Sequence, residues 1–276
     1  WYVREIEQPT GFVLDDTIYP VTIGADGQVV EIKIVNKYVR GNIHLTKVDS
    51  EYPDNKLTGA TFEVYKDSNA NGKLDDGDEL LGTLTEKEIG EYGMNDLFYG
   101  RYFVKETKAP EGFVLDTGVY EVMIDTDGKT CEVENKAGVG FINEAMRGNL
   151  KIVKTSSDGK IKGFAFRITG ANGYDIILET NDKGEIVIEG IRIGDYTVSE
   201  VSNSASAMYV LPADKKATVK TGSTTIVEMH NVLRDTPKTG DATNLPLLYA
   251  LAGLSAVGIA VTAFVGFKKK KKEGND

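Results

Sequence analysis

Cysteine is almost missing: the 276 residues hold one, Cys131. An internal disulfide is therefore excluded, and the fold must be stabilised by something else. Histidine is nearly as scarce, with only His44 and His230. Each falls on the outward row of its strand with no Cys or His at ligand spacing, so both read as surface residues rather than metal ligands. Basic patches interleaved with aromatics are lacking too, and the formal net charge is −10. Such an acidic surface repels nucleic acid and excludes it as a partner. No leader precedes Trp1, but the chain opens in mid-pattern, so this says nothing about secretion.

One segment lacks charge altogether. Residues 245–267, "LPLLYALAGLSAVGIAVTAFVGF", form an uninterrupted uncharged run. As a helix it is long enough to cross a hydrocarbon core of about 30 Å. Lys268 to Lys272 follow directly, and the body before Leu245 carries −13 once this tail is set aside. Lysines at the exit predict a transmembrane helix with a cytoplasmic C-terminus and everything before Asn244 outside.

Short alternating apolar runs and 30 glycines in the turns between them mark an all-β chain. The chain also repeats itself at roughly 100 residues. "VREIEQPTGFVLDDTIYPVTI" at 3–23 returns as "VKETKAPEGFVLDTGVYEVMI" at 104–124. "GNIHLTKV" at 41–48 matches "GNLKIVKT" at 148–155, and "LTGATFEVY" at 57–65 matches "IKGFAFRIT" at 161–169. These matches define the end of a truncated unit at 1–39, complete units at 41–137 and 148–233, a linker at 138–147, and a tail at 234–276. Roughly seven alternating segments per complete unit predict two-sheet sandwiches joined into a rod.

The inward rows of these strands end in polar residues. With period-two alternation, Ile43, Leu45 and Lys47 share a face, as do Leu150, Ile152 and Lys154. Tyr102 and Val104 lead to Glu106, and Tyr196 and Val198 lead to Glu200. Cys131 and Val133 lead to Asn135, and Val227 and Met229 lead to Asn231. In the truncated unit Glu5 follows Val3, and Asn36 follows Ile32 and Ile34. Unpaired buried charge is costly, so these groups must neutralise one another. Burial lowers a lysine pKa and raises a glutamate pKa, which permits a neutral amine beside a carboxylic acid. Such an amine can attack an asparagine carboxamide, and loss of ammonia leaves a Lys–Asn isopeptide bond.

"GNIHLTKVD", "LTGATFEVY", "YGRYFVKETKAPEGFVL" and "CEVEN" together resemble the B-type repeat of collagen-binding adhesins and the related SpaA-like pilin domains of Gram-positive bacteria. That resemblance implies tandem Ig-like, prealbumin-like β-sandwiches with an autocatalytic intramolecular isopeptide bond in each. Carried over residue by residue, it implies cross-links Lys47 to Asn135 and Lys154 to Asn231, with Glu106 and Glu200 as the catalytic acids. Glu5 and Asn36 take the same roles in the truncated unit, whose lysine is expected upstream of Trp1. The last unit departs from the pattern after Glu200, where "VSNSASAMYVLP" replaces "TKAPEGFVL".

Two further motifs lie outside these rows. "DSNANGKLDDGDE" at 67–79 sets Asp67, Asn69, Asn71, Asp75 and Asp78 at the spacing of a calcium loop, with Gly72 at the bend. It is read equally as a solvated acidic hairpin, and no cofactor is required by the repeats themselves. "DTPKTGD" at 235–241 stands before the uncharged span and resembles a sortase cell-wall sorting signal. Its core is Pro237, Lys238, Thr239 and Gly240, and Thr236 stands where the commonest version has leucine. The resemblance implies cleavage between Thr239 and Gly240 and transfer to peptidoglycan or another pilin.

The expectation is a non-enzymatic, extracellular, cell-wall-anchored stalk of an adhesin or pilin. It would pass through the membrane before sorting, with sortase as partner and any host-surface ligand bound upstream. A sortase-polymerised pilus backbone, or the spacer of an anchored enzyme whose catalytic domain lies upstream, are the alternatives.

Overall fold

The computed structural model describes residues 1–234, all strands and turns apart from a three-residue 3-10 turn at Ala171–Gly173. Among these residues no helix is long and apolar enough to cross a membrane. The expected transmembrane helix at 245–267 and the sorting signal at 235–241 lie outside the described residues.

The first unit contributes β1 (Tyr2–Val3), β2 (Phe12–Val13), β3 (Tyr19–Pro20) and β4 (Lys37–Tyr38), paired β1 with β3 and β2 with β4. The middle unit contains β5 (Arg40–Asp49), β6 (Thr61–Lys66), β7 (Glu79–Thr83), β8 (Thr85–Glu88), β9 (Glu91–Phe98), β10 (Gly100–Lys108), β11 (Val119–Ile124), β12 (Thr130–Glu132) and β13 (Phe141–Asn143). They form two sheets, ordered β11-β10-β6-β7 and β12-β5-β9-β8, with β13 also on β5. The last unit contains β14 (Arg147–Ser156), β15 (Ala165–Gly170), β16 (Asp175–Glu179), β17 (Glu185–Arg192), β18 (Gly194–Val201), β19 (Tyr209–Val210), β20 (Lys215–Val219) and β21 (Thr224–Leu233). Its sheets run β17-β14-β21-β19 and β16-β15-β18-β20.

Alternation places the cores as expected. Ile43, Leu45, Phe62, Val64, Tyr102 and Val104 meet between the middle sheets, and Leu150, Ile152, Phe166, Val198, Val227 and Met229 between the last pair. Each first strand pairs parallel with the end of its own unit, β5 with β12 and β13, and β14 with β21. This parallel closure brings residues at opposite ends of each unit's sequence side by side.

The closing strand is where the two complete units differ. β21 runs unbroken along β14 from Thr224 to Asn231. In the middle unit pairing stops at Glu132 opposite His44 and resumes at Phe141 opposite Lys47. An unbroken strand would have set Asn135 opposite Lys47; instead the chain makes a six-residue excursion between these registers. A tight turn closes it, with Val139 and Gly140 N–H groups donating to the Lys136 carbonyl. Gly140 has φ +123°, and a Cβ there would lie 2.7 Å from the Thr46 carbonyl oxygen, so glycine lets the chain return onto β5. The middle sandwich therefore ends at Asn143, inside the segment expected to be a linker.

Neighbouring units meet through ionic contacts. Arg192 at the end of β17 donates two hydrogen bonds of 2.7 Å to the buried Asp49 carboxylate at the end of β5. It donates a third, of 2.9 Å, to Glu51, and its guanidinium lies 5.0 Å from the Tyr52 ring centroid. Arg147 also pairs with Glu51. At the other junction Lys37 pairs with Asp127 at 2.7 Å, and the Tyr38 ring meets Phe98 edge-on with centroids 5.4 Å apart.

Candidate cross-linking sites

The last unit assembles the expected three residues. Lys154 on β14, Glu200 on β18 and Asn231 on β21 are buried, at 1%, 8% and 0% exposure. Asn231 Nδ2 donates to Glu200 Oε1 at 2.7 Å. Lys154 Nζ lies 4.0 Å from the Phe164 ring centroid and donates to the Thr155 carbonyl. Burial pushes the Lys154 amine down, against the opposing pull of Glu200 and Asp158. Burial likewise pushes the Glu200 carboxyl up, although its bond from Asn231 and the charge of Lys154 resist this.

The middle unit repeats the arrangement with a different asparagine. Lys47 and Glu106 are fully buried, and the residue beside them is Asn143, at 3% exposure. Asn143 Nδ2 donates to Glu106 Oε2 at 2.7 Å and also to the Val114 carbonyl. Lys47 Nζ donates to the Phe141 carbonyl at 2.9 Å, which ties the amine to the strand bearing Asn143. Burial pulls the Lys47 amine down to about 8, against Glu106, Asp116 and Asp49. Burial raises the Glu106 carboxyl, opposed by its bonds from Asn143 and the Asp116 N–H and by Lys47.

The expectation for Asn135 is corrected by this geometry. Its side chain is half-buried and makes no bond to Glu106; it donates to Asp116 Oδ2 at 2.6 Å and to the Ile142 carbonyl at 2.8 Å. The register confirms Asn143 as the counterpart of Asn231. Lys47 faces Phe141 and Lys154 faces Met229, with the asparagine two residues further on in both. The bonded Glu and Asn lie 31 positions apart in the last unit and 37 in the middle one, the difference being the excursion. A sequence signal for Asn143 exists in "NKYVRGN" at 36–42 beside "NEAMRGN" at 143–149. Counting back from the following unit's Arg-Gly-Asn leads to Asn36 and Asn143 alike.

Both sites leave the same atoms without partners. Five buried side-chain polar atoms among the described residues lack a hydrogen-bond partner, and four of them are Glu106 Oε1, Asn143 Oδ1, Glu200 Oε2 and Asn231 Oδ1. Native structures rarely leave such atoms unpaired, and four of the five fall in these two clusters. Each lysine is also held the same way: the Lys47 N–H donates to the Gly90 carbonyl at 2.7 Å, and the Lys154 N–H to the Gly184 carbonyl at 2.8 Å.

The truncated unit retains the acid and amide. Asn36 Nδ2 donates to Glu5 Oε1 at 2.6 Å, and the Asp15 N–H donates to Glu5 Oε2 at 2.8 Å, both groups half-buried. The 67–79 loop closes upon itself. Asp67 accepts from the Asn71 and Gly72 N–H groups, Asp75 from the Asn69 and Asn71 amides, and Asp78 from the Ser68 and Asp75 N–H groups. Among the described residues no three His, Cys, Asp or Glu side chains are grouped to hold a metal ion. His44 bridges Glu91 and Glu132 across neighbouring strands at 2.8 and 2.7 Å.

A two-sheet sandwich whose closing strand lies parallel to its first and buries a Lys, a Glu and an Asn recurs in both complete units and defines a class of repeat domain. The family described as SpaA, a prealbumin-like fold domain, matches residues 41–137 and 148–233, and the chain belongs to it. The trypsin-resistant surface T6 protein of Streptococcus pyogenes serotype M6 is 26% identical over 204 residues, covering 63% of this chain and 35% of that protein. The Bacillus anthracis TIE protein superposes with a TM-score of 0.62 at 24% identity, over 84% of this chain and 41% of that chain. A streptococcal ancillary pilin gives a TM-score of 0.32 at 21% identity, over 85% of this chain and 75% of that one. The chain thus spans about a third of the T6 protein and two fifths of the TIE protein.

Proposed function

We propose that the chain is a non-enzymatic stalk segment of a pilin or adhesin displayed on a Gram-positive cell surface. Its two complete units close covalently, Lys47 to Asn143 and Lys154 to Asn231. The observation that carries this reading is the burial of a Lys, Glu and Asn set at equivalent registers in both units. Membership of the family and a relative named as a trypsin-resistant surface protein support display outside the cell.

The chemistry follows from the bonds. A neutral lysine Nζ attacks the asparagine Cγ, forming a C–N bond, and the Cγ–Nδ2 bond breaks to release ammonia. Glutamate, already bonded to Nδ2, delivers its proton to that leaving nitrogen and recovers one from Nζ. Only the singly protonated pair, amine neutral and acid protonated, is reactive. Intact mass of the full chain is expected to fall by about 17 Da per link, twice in all, and an unreduced mass overturns the reading. The rate in the middle unit is expected to be flat from the raised Glu106 pKa up to about 8. It falls on the acid side, where the pair takes up a second proton and Lys47 stays charged, and on the alkaline side, where the pair loses its last proton and no acid is left to deliver.

Anchoring by sortase at Thr239 is part of the same proposal, with peptidoglycan or another pilin as acceptor. Thr239→Ala is expected to keep the protein in the membrane fraction; its release by wall-digesting enzymes, as for wild type, would count against anchoring there.

A further inference from the structure

The excursion of the middle unit's last strand creates a placement problem that the last unit does not have. β13 is three residues long, and Asn143 is its final residue. β21, by contrast, brings Asn231 along a continuous ten-residue strand. So short a strand contributes few ladder bonds of its own, and the Asn143 carboxamide is held by its bonds to Glu106 and the Val114 carbonyl and by whatever fixes its strand.

Asn135 occupies the position to do this. Its Oδ1 accepts from the Ile142 N–H at 2.6 Å, and its Nδ2 donates to the Ile142 carbonyl at 2.8 Å. One side chain thereby reproduces both bonds of a β-bridge, on the residue immediately before Asn143. The same Nδ2 donates to Asp116, which also accepts from the Tyr120 hydroxyl at 2.8 Å and the Gly118 N–H. Burial works against the Asp116 carboxylate, yet donors from Asn135, Gly118 and Tyr120 hold its pKa below the usual range. The Asp116 backbone N–H in turn donates to Glu106 Oε2 at 2.8 Å, the oxygen that also accepts from Asn143. Asn135 therefore connects the strand carrying the amide to the loop holding the acid.

We propose that Asn135 is a positioning residue for the Lys47–Asn143 linkage, its carboxamide replacing the strand pairing that the excursion removes. The proposal rests on the cross-linking reading above. Asp15 repeats the Asp116 arrangement in the first unit, accepting from Tyr19 and giving its N–H to Glu5. In the last unit Asn231 Nδ2 is bonded to Glu200 from an unbroken strand, where no such clamp is needed.

The test follows link formation over time in the full chain made by cell-free translation and quenched in acid at intervals. Peptide mass spectrometry resolves the Lys47–Asn143 and Lys154–Asn231 links separately, so the last unit is an internal control. Asn135→Ala is expected to slow the middle link about tenfold to a hundredfold, with the control link unchanged and the edges of the pH profile where they were. Asn135→Asp keeps the acceptor for the Ile142 N–H but sets a second carboxylate against Asp116. It is expected to be slow as well and to move the whole profile to higher pH, because added negative charge makes both Lys47 and Glu106 hold their protons longer. Wild-type rates and profile in both variants overturn the proposal while leaving the cross-linking reading intact. So does loss of amide protection at Leu45 and Val104, which would make the contact one of folding. A wild-type chain without the middle link overturns the cross-linking reading itself.

Discussion

Asn143→Ala is expected to leave the chain one ammonia (about 17 Da) short of its own sequence mass, where the doubly linked wild type is two short, and to strip the middle unit of most of its excess stability. The proposed Lys47–Asn143 link would close a loop of roughly 100 residues, and by the chain-entropy relation for a cross-link its removal would cost about 4–5 kcal/mol. For a domain of this size that lowers the middle unit's melting temperature by roughly 15–30 °C. Glu106→Ala is expected to show the same single-ammonia deficit against its own sequence mass, since Lys47 then meets an amide with no proton donor. Calorimetry resolves the effect, because the last unit keeps its own link and its own transition. If Asn143→Ala retains the wild-type mass deficit, the assignment of Asn143 fails; if Asn135→Ala alone abolishes the link at all times, Asn135 is the reactive amide after all.

Arg192→Ala is expected to weaken the seam between the middle and last units by about 2–3 kcal/mol. Removing one partner of a fully buried pair costs more than this, but the Arg192 side chain keeps 16% exposure and water screens part of the loss. Asp49 would remain buried, with the Glu51 N–H at 2.9 Å and the more distant Tyr52 N–H as its donors. Arg192→Lys is expected to recover only part of the loss, since a single ammonium cannot make the two parallel bonds. Asp49→Asn combined with Arg192→Ala is expected to be milder than Arg192→Ala alone, because no stranded charge is left. Solution scattering supplies the second readout: the single-residue Ala variant broadens the distance distribution as the two units swing apart. An unchanged profile and melting curve would show that the seam is held elsewhere.

Much of each site was legible because β periodicity is strict. Lys47, Glu106, Lys154, Glu200 and Asn231 all sit on rows whose preceding residues are aliphatic or aromatic, and alternation alone turns them inward. Asn135 shows where that logic fails. It continues the row of Cys131 and Val133, but pairing ends at Glu132 and the strand leaves the sheet, so the row no longer predicts direction. Excursions of this kind have weak local signatures; Gly138 and Gly140 were visible, yet glycines punctuate every turn of the chain. The Asp49–Arg192 seam was illegible for a different reason. Its partners lie 143 positions apart in separate units, and nothing in either neighbourhood specifies the other.

The parallel closure of β14 on β21 has a consequence for length. Tension entering at Arg147 and leaving at Leu233 acts along strands that point the same way, so their ladder must slide as one rather than open bond by bond. With Lys154 joined to Asn231, only the residues before one and after the other can pay out. At about 3.4 Å per residue that is roughly 30 Å of chain already extended as strand, where the whole unlinked unit is close to 300 Å of chain. A filament of such units would hold its reach under load, stretching by little more than its junctions allow.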